Sequence, residues 1–177
     1  QFTSISAGRG HTCGVAALAY CWGDGIFGQL GDGTSSFQLL PVPAQPDLGQ
    51  VASVSAGSYY TCAVTTAGGA YCWGGNLEGQ LGGSLGDSFT PVQIDASLGP
   101  FGSISAGFFH TCAVTTAAVA YCWGSNLLGQ LGDGTQINRL TPVQVGASPT
   151  PGLPTLSLQF TTISAGGTHT CGMAGLA

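Results

Sequence analysis

Ser55-Ala56-Gly57, Thr61-Cys62-Ala63-Val64 and Ala70-Tyr71-Cys72-Trp73-Gly74 mark out one stretch that this chain repeats. The same words return as Ser105-Ala106-Gly107, Thr111-Cys112-Ala113-Val114 and Ala120-Tyr121-Cys122-Trp123-Gly124. An earlier copy runs from Ser6-Ala7-Gly8 through Thr12-Cys13-Gly14-Val15 to Ala19-Tyr20-Cys21-Trp22-Gly23, and a fourth begins at Ser164-Ala165-Gly166 and Thr170-Cys171-Gly172-Met173. The first cysteines, Cys13, Cys62, Cys112 and Cys171, are spaced by 49, 50 and 59 residues. A recurring period in this range marks a repeat architecture, in which one supersecondary unit cannot bury its apolar face alone. The units fall at about residues 1–50, 51–100 and 101–158, with a partial fourth at 159–177. Such folds usually work as shaped surfaces.

Composition narrows the partners. Arg9 and Arg139 are the only basic residues among 177, there is no lysine, and the formal net charge is -5. Phosphate binding rests on clustered Lys and Arg, so a nucleic-acid surface is excluded. An anionic membrane surface is disfavoured for the same reason. Mean hydropathy is positive at +0.33, but Gly, Ser, Thr and Gln interrupt every apolar run before it reaches the ~18 residues of a spanning helix. Membrane insertion is therefore not expected. The chain opens at Gln1 with no basic or apolar leader, so any secretion signal is expected to have been removed or never to have been part of it.

The seven cysteines form three pairs and one remainder. Cys62 and Cys72 are ten positions apart, as are Cys112 and Cys122, while Cys13 and Cys21 are eight apart. Each pair brackets strand-like residues around a small-residue tip, which reads as a β-hairpin. Symmetry about Ala67 sets Cys62 opposite Cys72, and symmetry about Ala17 does the same for the shorter first hairpin. Removing one residue from each arm preserves the facing pair; removing both from one arm would slide the register. Facing cysteines in a non-hydrogen-bonded pair suit a disulfide, worth roughly 2–3 kcal/mol for a loop this short. The alternatives are buried free thiols acting as small hydrophobes, or zinc, whose usual knuckle spacings these separations do not match. Disulfides place the chain outside the cytoplasm. Cys171 is left without a partner.

Each full unit offers four short strands, expected in the third at 102–106, 111–115, 119–123 and 142–145. The intervening Gly124-Ser125-Asn126-Leu127-Leu128-Gly129-Gln130-Leu131-Gly132-Asp133-Gly134-Thr135 is rich in residues that tolerate tight turns. No helical apolar period occurs. Four strands per unit of about 50 residues predict an all-β chain of β-propeller blades. The segment from Gly146 to Phe160, with Pro149, Pro151 and Pro154, is expected to be an excursion from the ring.

The pattern Ser-Ala-Gly-x-x-His-Thr-Cys-Ala-Val-Thr-Thr … Tyr-Cys-Trp-Gly-x-Asn-x-x-Gly-Gln-Leu-Gly-Asp-Gly-Thr … Pro-Val resembles the repeat of the regulator of chromosome condensation family. The closest flavour is the cysteine-bearing, secreted bacterial type. The resemblance covers nearly the whole chain, although the second copy reads Gly82-Gly83-Ser84-Leu85-Gly86-Asp87 where others have Gly-Asp-Gly-Thr. It implies a ring of about seven four-stranded blades, of which this chain holds about half. The rest is expected from further chain or another subunit, because an open half-ring leaves strand edges and blade faces bare.

Candidate chemistry is sparse. His11, His110 and His169 occupy one repeat position, where the second copy has Tyr60; a histidine replaceable by tyrosine reads as inter-blade packing, not catalysis or metal binding. Trp22, Trp73 and Trp123 read as inter-blade core. Asp24, Asp32 and Asp133 lie in glycine-rich turns with too few oxygen ligands for calcium. No catalytic residue, metal site or cofactor is expected. The two positions after each Ser-Ala-Gly vary: Arg9-Gly10, Ser58-Tyr59, Phe108-Phe109 and Gly167-Thr168. They link two strands and should lie on one rim. In the family's plant ultraviolet receptors this loop carries functional tryptophans and arginines; without a tryptophan there, light sensing is not expected. Arg9, Ser58, Tyr59, Phe108, Phe109 and Thr168 are the candidate protein-binding rim.

Three functions follow. The first is a secreted, non-catalytic scaffold binding a protein through its rim, as the resemblance implies from members that inhibit β-lactamases or act on small GTPases. The second is self-association: a structural subunit of an extracellular filament or cell-envelope layer of tandem propellers, since a contact that does not close makes a filament. The third, an enzyme, ranks last.

Overall fold

Thr61 to Thr65 are buried on both strand faces, and so are Thr111 to Thr115. A strand covered on both sides needs small, near-continuous apolar or hydroxyl side chains instead of an alternation, and Thr-Cys-Ala-Val-Thr supplies them. The computed structural model describes residues 1–44, 48–146 and 158–176. It shows three complete antiparallel sheets and the first two strands of a fourth. Blade one is β1 (Ser4–Ala7), β2 (His11–Ala16), β3 (Leu18–Gly23) and β4 (Gln38–Pro43). Blade two is β5 (Val51–Ala56), β6 (Tyr60–Thr65), β7 (Ala70–Gly74) and β8 (Ser88–Gln93). Blade three is β9 (Phe101–Ala106), β10 (His110–Thr115), β11 (Ala120–Gly124) and β12 (Arg139–Gln144), and the fourth sheet pairs β13 (Leu158–Ala165) with β14 (Thr170–Leu176).

Strands within each sheet follow sequence order, and the first strands β1, β5, β9 and β13 approach one another in turn. This is an incomplete propeller with its first strands innermost. The hairpin register is the symmetric one: Cys13 faces Cys21, Cys62 faces Cys72 and Cys112 faces Cys122. Their sulfurs are bonded, with Cα separations of 4.1, 4.0 and 4.1 Å. Cys171 is exposed and free. The fourth strand of blade three starts at Arg139 instead of Pro142, because a bulge between Cys122 and Gly124 lets Gly124 pair with Arg139. The proline-rich excursion lies at 147–157, outside the described residues.

Several kinds of contact join successive blades. Near the axis, the amides of Ala56, Ala106 and Ala165 donate to the hydroxyls of Ser6, Ser55 and Ser105 at 2.9, 3.0 and 2.9 Å. Beside them, the backbones come so close that a Cβ on Gly57 would lie 2.7 Å from the Gly107 carbonyl oxygen; only glycine fits. Farther out, the Gln29 carbonyl of blade one accepts from Thr61 Oγ1 at 2.8 Å and Trp73 Nε1 at 3.0 Å. Gln80 does the same for Thr111 and Trp123, at 2.8 and 2.9 Å. Each tryptophan also packs into a cluster with the preceding blade's disulfide, Trp73 with Cys13–Cys21 and Trp123 with Cys62–Cys72. The bridge thus staples its own hairpin and furnishes a dry wall for the next blade.

Candidate functional site: one rim of the propeller

Two loops of each blade meet on one rim. The turn after the first strand closes on itself through Gly8 N to His11 O, Gly57 N to Tyr60 O and Gly107 N to His110 O, at 2.9, 2.8 and 2.9 Å. The loop after the third strand is tied to that turn by Asp24 N to Gly10 O, Gly75 N to Tyr59 O and Ser125 N to Phe109 O, each 2.9 Å. A glutamine then props the outer loop: the side-chain oxygens of Gln29, Gln80 and Gln130 accept from the amides of Phe27, Glu78 and Leu128 at 2.9, 2.9 and 3.0 Å. With its glutamine buried, the loop lifts its own apolar residues outward.

The rim candidates differ in burial. Arg9, Phe108 and Thr168 are exposed, Tyr59 and Phe109 half-buried, and Ser58 is only 5% exposed. Tyr59, Phe108 and Phe109 join in an aromatic row that begins at Phe27 of blade one. Ring centroids are 5.1 Å apart for Phe27–Tyr59, 6.5 Å for Tyr59–Phe108 and 4.5 Å for Phe108–Phe109, all edge-on. The Arg9 guanidinium lies 5.2 Å from the Tyr59 centroid and 6.0 Å from that of Phe108, within cation–π range. Beyond Phe108 the surface sinks into an apolar cleft of about 510 Å³ between Phe108, Phe109, Leu127, Leu128 and Thr168. Phe27, Leu127 and Leu128 were not singled out by sequence, because Asp24-Gly25-Ile26-Phe27-Gly28 and Ser125-Asn126-Leu127-Leu128-Gly129 read as turns. Exposed apolar residues inside a turn were the available clue.

Four titratable groups, His11, Tyr60, His110 and Asp133, make structural contacts. His11 Nε2 donates to Thr61 Oγ1 at 2.8 Å across the blade boundary, and His110 Nε2 does the same to Thr170 Oγ1 at 2.8 Å. Each threonine spends its one hydrogen on a glutamine carbonyl, which assigns the Nε2–H tautomer to both rings. Burial lowers both imidazoles to about 4, opposed at His11 by Asp24 and reinforced at His110 by His169. Tyr60 takes the same place with its hydroxyl on the His110 carbonyl at 2.6 Å. Asp133 holds a turn, accepting from Thr135 N and Oγ1 at 2.9 and 2.7 Å and pairing with Arg139 at 2.9 Å. Burial pushes its carboxyl up, but bonds from Thr135, Arg139 and Asn126 hold it below the usual carboxylate range. Among the described residues no three His, Cys, Asp or Glu side chains cluster as metal ligands, and no helix is long and apolar enough to cross a membrane.

Known proteins share the repeat and the fold. Residues 18–64, 67–114 and 119–173 match the regulator of chromosome condensation (RCC1) repeat. The chain is 36% identical over 96 residues to the Ultraviolet-B receptor UVR8 of Arabidopsis thaliana, which covers 51% of this chain and 22% of the receptor. It is 40% identical over 68 residues to the human RCC1 domain-containing protein 1, covering 38% of this chain and 18% of that protein. Prp20p from Saccharomyces cerevisiae, whose structure was reported with its binding to Gsp1p and histones, superposes with a TM-score of 0.83 at 19% identity, over 99% of this chain and 44% of Prp20p. The chain thus spans less than half the length of each of these proteins. Three repeats that match the family end to end, folded as successive blades, make this chain a member of the regulator of chromosome condensation (RCC1) repeat family.

Proposed function

We propose that this chain is part of a non-catalytic β-propeller scaffold that binds a protein partner through the Arg9–Tyr59–Phe108 rim, outside the cytoplasm. The observation that carries the reading is the continuous aromatic row ending in an open apolar cleft. Large rings with a rigid backbone behind them give contact area at little entropic cost, and such anchors dominate protein interfaces. Prp20p, with the same fold, is described as binding proteins. Three buried disulfides favour an oxidising compartment. The test is binding to a partner captured from the extracellular or envelope fraction. Phe108→Ala combined with Leu128→Ala is expected to weaken it at least tenfold with an unchanged thermal midpoint, since both side chains are surface-exposed. Undiminished binding by the folded double variant refutes this face.

A second reading is assembly into an extracellular filament or surface layer through apolar side chains on the faces of the first and last sheets. Leu39 in β4 is 94% exposed. Its repeat equivalents Phe89 and Leu140 pack against Gly28 and Gly79 of the preceding blade. On the opposite face a cavity of about 340 Å³ opens beside Leu131, Phe160 and Thr170, where Trp73 and Trp123 sit at the earlier boundaries. Further chain or another subunit completing the ring would cover both faces. Electron microscopy of the purified protein separates these outcomes, fibres supporting assembly and monodisperse rings excluding it.

A further inference from the structure

The chemistry of the rim's partner follows from two polar groups that find no partner among the described residues. Arg9 is held over two aromatic rings, yet no carboxylate among the described residues pairs with it: the ion pair there is Arg139 with Asp133. Ser58, from the turn of the next blade, lines the same shallow cavity of about 240 Å³ as Arg9 and Phe108. Its hydroxyl is buried and makes no hydrogen bond. A buried hydroxyl is normally paired, and a guanidinium beside a free hydroxyl offers several donors in one place. A carboxylate can accept from both, and from Arg9 by a charge-assisted bond. With a single cation at the site and a net charge of -5, a multiply charged phosphate or polyanion is repelled where one carboxylate is accommodated.

Phe108 lines both this cavity and the apolar cleft, so the two sites share a wall and adjoin. Residues i and i+2 of an extended peptide project to one side about 7 Å apart. We propose that the rim takes an extended peptide of the form acid–x–apolar, its carboxylate on Arg9 and Ser58 and its large apolar side chain in the cleft between Phe108 and Leu128. This rests on the rim reading above and specifies its partner.

The test uses an array of blocked nonapeptides whose centres read aspartate–serine–phenylalanine, asparagine–serine–phenylalanine or aspartate–serine–serine, with scrambled controls. They are titrated against the disulfide-intact chain and its Arg9→Gln, Ser58→Ala and Phe108→Ala variants. The aspartate–serine–phenylalanine peptide is expected to bind at least tenfold tighter than the asparagine form, and rising salt should narrow that gap. Arg9→Gln should erase the preference, Ser58→Ala should reduce it, and Phe108→Ala should weaken both phenylalanine peptides alike. Arg9 is exposed, so its replacement leaves the fold intact. Equal binding of the aspartate and asparagine peptides, or a preference that survives Arg9→Gln, overturns the carboxylate site. If phenylalanine peptides then still bind and lose affinity in Phe108→Ala, the rim reading stands alone; if no peptide exceeds its scrambled control, both fall.

Discussion

Trp22 and Trp73 stand at the same place in the same motif, yet their surroundings differ completely. Trp73 is fully buried against Leu30 and the Cys13–Cys21 bridge and donates to Gln29 of the preceding blade. Trp22 is half-buried and rests on Phe2, with ring centroids 5.7 Å apart. The residue is not intrinsically core; the neighbouring blade makes it so. In a stack of repeats stability resides at the boundaries, each depending on nearest neighbours.

The sharpest way to break this comparison is to truncate both rings. Trp123→Ala removes a buried indole, its hydrogen bond to Gln80 and the wall behind Cys62–Cys72, and is expected to cost about 3–5 kcal/mol. Trp22→Ala, on the bare face, should cost about 1 kcal/mol or less. Denaturant midpoints of the two variants measure the difference, and equal losses would show that the boundary is not what stabilises the blade.

A smaller effect is expected at the axis. Gly57→Ala drives a methyl toward the Tyr60 ring and the Gly107 carbonyl, so it should cost about 1–3 kcal/mol. A Cβ on Gly167 meets nothing within 4 Å, and Gly167→Ala should stay within about 0.5 kcal/mol. Thermal melts of the pair check whether close approach, and not glycine flexibility as such, sets the requirement.

The smallest effect separates boundaries built on histidine from the one built on tyrosine. His11 and His110 titrate near 4 when folded, against an ordinary value of 6.5. The unfolded chain therefore binds more protons between these values. Stability is complete above about pH 6.5 and falls as pH drops toward 4, by on the order of 1–2 kcal/mol per ring at pH 5. Tyr60 stays neutral throughout, its hydroxyl pushed up by burial. Hydrogen exchange at pH 5 should thus loosen the boundary between β2 and β5 before that between β6 and β9; uniform exchange would count against the assignment.

Much of this molecule was legible because its constraints are local. The tip at Ala17, which has a positive φ of 69°, fixes the register that brings Cys13 to Cys21, and sequence separation alone conveys that. Pro41, Pro91 and Pro142 recur in the outermost strands β4, β8 and β12, where a missing amide costs no ladder bond. What escaped the sequence depends on contacts between units. The bulge at Gly124 moved the start of β12, because a bulge is set by twist and pairing together. Ser58 was expected on an open rim and is buried, because its turn packs against the next blade, the Ser58 amide donating to the Gly107 carbonyl at 3.3 Å. Leu127 and Leu128 face outward only because Gln130 props their loop from beneath.

The serine hydroxyls near the axis give the stack a direction. Each blade offers an oxygen forward and receives the following blade's amide. Ser164 holds the same place in β13, so whatever lies against that sheet must present a backbone N–H at its innermost strand. Two copies meeting through identical faces would set one serine hydroxyl against another, with no backbone amide to fill the place it takes at every other boundary. Extension is therefore vectorial: a docking sheet has one orientation in which it continues the sequence of donors, and reversing it forfeits a hydrogen bond at the tightest point of the wheel.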